Sequence, residues 1–93
     1  MALTFEWDEE KDLSNQRKHR VPFDEAKTVF NDPHSMTIAD DQHSESEDRF
    51  LDIGMSSRGR LIVVSYTERG DNIRIINCRK ATKSERKTYA QTK

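Results

Sequence analysis

Residues 49–93 of this 93-residue chain carry seven arginines and four lysines against four acids. Arginine is planar, permanently charged and presents paired N–H donors, so its majority among the cations points to recognition of phosphate or a similar anion. Residues 1–48 have the opposite balance, 13 acids against five Lys or Arg, and the halves, +7 and −8, sum to a net charge of −1. The same asymmetry also fits a dipolar protein docking on a complementary partner, or charged faces that neutralise one another on folding.

Individual residues sharpen the first option. Arg74 stands among Ile73, Ile75 and Ile76, and strict strand alternation would place it on a face with Ile76 and Cys78, opposite Ile73 and Ile75. An unpaired buried guanidinium is costly, so Arg74 either reaches an acid such as Asp52 or Glu68 or lies on a face open to an anion. Arg60, Arg69 and Arg79 add cations at strand ends and turns, where ordinary solvated charge is the plainer reading. Lys18-His19 could supply a cation and a group that titrates near neutrality, or simply end a helix. Glu47, two residues before Arg49, is a candidate base or a partner for a site arginine. Tyr89 could stack on a nucleobase or pack in the core.

Other chemistries find little support. His19, His34 and His43 lie 15 and 9 residues apart, without helical or zinc-motif spacing, so no metal site is expected. Three glycines, Gly54, Gly59 and Gly70, do not form a phosphate-cradling loop, no serine sits in a Gly-x-Ser-x-Gly turn, and no cofactor is expected. Cys78 cannot form an internal disulfide, and its apolar strand context reads as a small buried hydrophobe in a reducing compartment.

The elements that must hold these residues are legible in part. Thr4 to Trp7 reads as a short strand. Asp8 is a plausible N-cap for a helix with Glu9 and Glu10 in its first turn and Lys18, His19 and Arg20 at its end. Phe23, Ala26, Val29 and Phe30 recur at helical spacing before the Asn31-Asp32-Pro33 stop, the stronger of the two helical patterns. Met36 to Ala39 is a possible strand, and residues 40–48 read as a solvated loop. Strands are expected over Arg49 to Met55, Arg60 to Thr67 and Asn72 to Cys78, joined by tight turns into an antiparallel meander. Thr82-Lys83-Ser84-Glu85 has capping-box spacing ahead of a last helix reaching Thr88 or beyond.

The expected architecture is α+β: a small antiparallel sheet with two N-terminal helices and a C-terminal helix, in one domain over 1–93. Leu, Ile, Val and Phe number only 18, but the net charge is near zero, so a folded and very polar domain is expected rather than disorder. The longest aliphatic run, Leu61 to Val64, falls far short of the roughly 20 residues of a membrane helix, so the expectation is a cytoplasmic protein without membrane attachment.

The ordered fragments Phe5-Glu6-Trp7-Asp8, Lys18-His19, Phe23-Asp24-Glu25-Ala26, Asp32-Pro33, Glu47-Asp48-Arg49, Ile53-Gly54, Gly59-Arg60-Leu61, Thr67-Glu68-Arg69, Ile73-Arg74-Ile75-Ile76 and Arg79-Lys80-Ala81 closely resemble the BrnT family of toxins. The resemblance runs from about Phe5 to Tyr89. It implies a RelE-like fold, ribonuclease activity that arrests translation, and neutralisation by a BrnA-type antitoxin carrying a ribbon-helix-helix DNA-binding domain. Toxin and antitoxin would form a hetero-oligomer that meets DNA only through the antitoxin. The family pattern falls on Lys18 and His19, Glu47 and Arg49, Gly59 and Arg60, and Arg74 and Arg79. Arg20 and Pro22 stand where the family commonly has Gly and Ser.

On that resemblance the expected chemistry is metal-independent attack of a 2′-hydroxyl on the adjacent phosphodiester. Arg74 and Arg79 would stabilise the developing charge, and His19 or Glu47 would move protons. Lys18, Arg60 and Arg69 would hold the RNA backbone, with Tyr89 stacking on a base. The alternative is a non-catalytic subunit whose basic half binds the antitoxin.

Overall fold

The computed structural model describes residues 3–43 and 47–91. Residues 44–46 of the expected solvated loop, and the side chain of His43, lie outside the described residues. The elements in chain order are β1 (Thr4–Glu6), α1 (Glu9–His19), α2 (Phe23–Ala26), β2 (Met36–Ala39), β3 (Arg49–Met55), β4 (Leu61–Arg69), β5 (Asn72–Lys80) and α3 (Lys83–Gln91). The architecture is α+β, as expected, with one five-stranded sheet in the order β1-β5-β4-β3-β2. The β2-β3-β4-β5 pairs are antiparallel, whereas β1 runs parallel to β5 and pairs Thr4, Phe5 and Glu6 with Asn72, Ile73 and Arg74.

α1 forms where its caps require. The Asp8 carboxylate accepts the N–H groups of Glu10 and Lys11 at 2.8 and 3.3 Å, satisfying donors that the first helical turn leaves open. At the other end Arg20 takes the left-handed conformation, φ 63°, and its N–H reaches the Gln16 carbonyl. Arg20 therefore adopts the backbone of a terminating glycine at the steric cost of its Cβ.

The second helix departs from expectation. Only Phe23–Ala26 is α-helical, and Lys27–Asn31 tightens into a 3₁₀ turn. Thr28 donates its hydroxyl to the Glu25 carbonyl, and the Asp32 N–H reaches back to Val29. Such side-chain and three-residue bonds compete with the α ladder just where the β-branched Thr28 and Val29 weaken it.

One sheet face packs on α1, α2 and the 3₁₀ turn. Val21, Phe23, Ala26, Val29, Ile62, Val64, Tyr66, Ile73, Ile75 and Cys78 form this core, with Phe5, Trp7, Phe30 and Phe50 at its margin. Phe30 meets Tyr66 edge-on at 5.0 Å and Trp7 meets Phe23 at 5.9 Å, geometries favoured by the ring quadrupoles. Gly54 permits the approach of the 3₁₀ turn, because a Cβ there would lie 2.8 Å from Val29 Cγ1. On the opposite face Ile53, Leu61, Val63 and Tyr89 form a smaller cluster under α3.

Arg74, Ile76 and Cys78 do not share a face. Tyr66 pairs with Ile75 but Ser65 pairs with Asn77, so Ile76 is an extra residue that bulges out of β5. The bulge reverses the alternation beyond it: Cys78 joins Ile73 and Ile75 in the core, while Arg74, Asn77 and Arg79, opposite Thr67, Ser65 and Val63, all point to the other face.

Candidate active site

β1 pairs with β5 only through Arg74, and the strand beyond that point is met by α1. The buried Asn15 of α1 accepts the Cys78 N–H at 3.1 Å and donates to the Val21 carbonyl at 2.9 Å. One side chain thus satisfies an edge-strand amide and the loop after the helix, seating α1 against β5. Burial pushes the Cys78 thiol up to about 12, which suits a packed and unreactive sulfur.

This seating creates a cleft of about 400 Å³ lined by Lys11, Ser14, Asn15, Lys18 and His19 of α1 and by Ile76, Asn77 and Arg79 of β5. Three cations and an imidazole face it, and among the described residues no carboxylate lines it. Lys18, His19 and Arg79 were expected to act together, and the structure brings them together. Lys11 belongs to the family-like pattern without an assigned role, and Ser14 and Asn77 carry no motif signal in the sequence. Lys11, Ser14, Asn15 and Lys18 follow three-, four- and seven-residue spacing, a face visible in helical periodicity, whereas Asn77 depends on the bulge.

Arg79 is itself paired. Its two terminal nitrogens donate to the Glu85 carboxylate at 2.7 and 2.9 Å. Glu85 also completes the expected capping box, accepting the Thr82 N–H at 2.8 Å while the Thr82 hydroxyl accepts the Glu85 N–H at 3.2 Å. The Arg79 guanidinium, aided by the cap, holds the Glu85 carboxyl down at about 2.

Further along the same face, Arg49 of β3 lies opposite Thr67 of β4, which lies opposite Arg74 of β5. Arg74 meets neither Asp52 nor Glu68. It donates to Glu6 at 3.0 Å across the parallel β1 pair, while Asp52 lies among Thr37 and Tyr66, which donate to it at 2.7 and 3.0 Å. Arg69 holds Glu47 through two bonds of 2.9 and 3.0 Å. That pairing, together with the charges of Arg74 and Arg49, keeps the Glu47 carboxyl below the usual carboxylate range. Glu47, Arg69 and Arg74 thus belong to one charged group, separate from the cleft of His19 and joined to it along β5.

Two candidate RNA-contacting residues are placed otherwise. Arg60 donates from Nε and Nη2 to the buried Glu25 and from Nη2 to the Arg20 carbonyl, tying β4 to the loop after α1 and to α2. This pairing is the main reason Glu25 stays ionised below its ordinary range despite burial. Tyr89 is only 4% exposed and donates its hydroxyl to Asp32 at 2.5 Å, so its ring presents no open face to a base. Its geometry is the core alternative. Among the described residues no three His, Cys, Asp or Glu side chains converge as metal ligands, and no helix is long and apolar enough to cross a membrane.

Residues 7–85 match the family model of the BrnT ribonuclease toxins of type II toxin–antitoxin systems. The chain belongs to the BrnT family. The crystal structure of the ribonuclease toxin BrnT from Brucella abortus, at 1.1 Å resolution, superposes with a TM-score of 0.67 and 20% identity, covering 88% of this chain and all of that one. At that identity the likeness establishes a shared BrnT fold. No curated protein matches the sequence. Membership of the BrnT family makes the protein a ribonuclease toxin, with RNA as substrate and an antitoxin as partner.

Proposed function

We propose that this BrnT-family toxin is a metal-independent endoribonuclease whose catalytic charges are Arg74 and Arg79. The bulge at Ile76 carries this reading: without it two residues five apart would face opposite sides of the sheet, and with it both face one side, Arg79 in the cleft of Lys18 and His19 and Arg74 further along β5. In the reaction the 2′-oxygen bonds to phosphorus as its proton passes to a base. The 5′-oxygen departs with a proton, leaving a 2′,3′-cyclic phosphate and a 5′-hydroxyl. The arginines stabilise charge gathering on the phosphoryl oxygens.

His19 is the better proton-transfer group. Glu47 is held ionised by Arg69, and a carboxylate so stabilised is a weak base. Lys18 and Lys11 hold the RNA backbone at the cleft. The protein arrests translation in the cytoplasm and is neutralised in a hetero-oligomer with a BrnA-type ribbon-helix-helix antitoxin, through which alone it meets DNA.

The test is cleavage of an end-labelled RNA by antitoxin-free protein in EDTA, beside a strand with 2′-deoxy substitutions and beside Arg74→Ala and Arg79→Ala. RNA alone is cut, with each variant about 100-fold slower or worse. A folded Arg74→Ala protein cutting at the original rate refutes the assignment, and no cutting by the folded wild type favours the non-catalytic antitoxin-binding subunit.

A further inference from the structure

Thr67 is 3% exposed, and its hydroxyl oxygen is buried with no hydrogen-bond partner among the described residues. Such a group costs stability, and β4 could have carried valine at no loss of strand propensity. Its position makes the cost intelligible. Thr67 stands in register between Arg49 and Arg74, on the face where Arg69 grips the carboxylate of Glu47. A carboxylate and a phosphodiester share the geometry that a guanidinium fork recognises.

We propose that Thr67 and Arg69, with Arg49 alongside, form a binding subsite for an RNA phosphate flanking the scissile one that Arg74 contacts, and that Glu47 occupies it as a tethered competitor until RNA displaces it. The inference rests on the ribonuclease reading above. Arrival of the phosphate exchanges one Arg69 ion pair for another, and parting of the arginine side chains beside Thr67 lets its hydroxyl donate to a phosphate oxygen. Glu47 thereby lowers RNA affinity instead of moving protons. Glu6, which pairs with Arg74 through one bond of 3.0 Å, holds that arginine in the row and leaves its other donors for the scissile phosphate.

The probe is a 2′-O-methyl RNA oligonucleotide, which cannot be cleaved, bound to the antitoxin-free full chain and followed by fluorescence anisotropy. Glu47→Gln binds it about 2- to 5-fold more tightly, the range for removing one exposed ion pair, and raises kcat/KM on cleavable RNA by the same factor. Thr67→Val binds about 3- to 10-fold more weakly, the net effect of one lost hydrogen bond, although its Tm without RNA is equal or higher. Thr67→Ser keeps wild-type affinity. Unchanged or weaker binding by Glu47→Gln overturns the competitor role, and a 100-fold fall in its kcat would make Glu47 a proton-transfer group instead. A Thr67→Val protein that binds normally overturns the subsite. If wild type binds no RNA, both this inference and the ribonuclease reading fail, whereas cleavage that depends on Arg74 and Arg79 but not on Thr67 or Glu47 leaves the ribonuclease reading standing alone.

Discussion

Glu85 serves two masters: its carboxylate closes the first turn of α3 through the Thr82 N–H and clamps the Arg79 guanidinium at 2.7 and 2.9 Å. A candidate catalytic arginine is thereby aimed by the cap of a neighbouring helix. Glutamine also serves in a capping box, so Glu85→Gln separates the two roles.

That variant keeps α3 but loses the ion pair. It is less stable than wild type by about 1 kcal/mol at pH 7, a fall in Tm of roughly 4–8 °C for a domain of this size. The Glu85 carboxyl lies at about 2 in the folded protein and near 4.3 when unfolded. Its contribution is full above the unfolded value and is lost as pH falls toward 2, so urea melts of wild type and variant converge over that interval.

Arg60 tests structure against RNA contact. Its guanidinium neutralises Glu25, whose side chain is 1% exposed, and removing one partner strands a buried charge. Arg60→Ala loses about 3 kcal/mol in urea unfolding, while the remaining folded protein binds RNA nearly as wild type. The double variant with Glu25→Ala regains part of the loss, and a single variant of wild-type stability contradicts the clamp.

Arg20 holds φ 63° at the end of α1. Glycine reaches this conformation without a Cβ clash, so Arg20→Gly is more stable by about 0.5–1 kcal/mol. Thermal unfolding shows the gain as a rise of a few degrees, and a fall shows that the Arg20 side chain supplies more than the backbone strain removes.

Asp52 is buried beside Thr37 and Tyr66 with no paired cation among the described residues, and burial raises its pKa above the usual value. The sign is opposite to that of Glu85: stability is present at low pH and is lost as pH rises through the folded pKa. Asn keeps an oxygen to accept both hydroxyls, so Asp52→Asn is more stable by about 1 kcal/mol at pH 8. The advantage shrinks as pH falls from the raised folded pKa toward the ordinary carboxylate value. Parallel melting curves across pH refute the buried charge as its cause.

The sequence alone determined those features whose causes are local. The Asp8 cap, the Thr82–Glu85 box, the β3-β4-β5 meander and the apolar periodicity of the core depend on neighbours a few residues away, and each appears in the structure. The order of the BrnT-like fragments likewise carried the family. Tertiary structure decided what depends on distant partners. The parallel pairing of β1 with β5 supplied Glu6 as the acid for Arg74, in place of Asp52 or Glu68, because strand order cannot be read from alternation alone. Packing against Glu25 and Asp32 tied the Arg60 guanidinium into an ion pair and buried the Tyr89 ring. The bulge at Ile76 put Arg74 and Arg79 on one face. One extra residue reverses every side chain beyond it, and only the register against β4 reveals where that reversal falls.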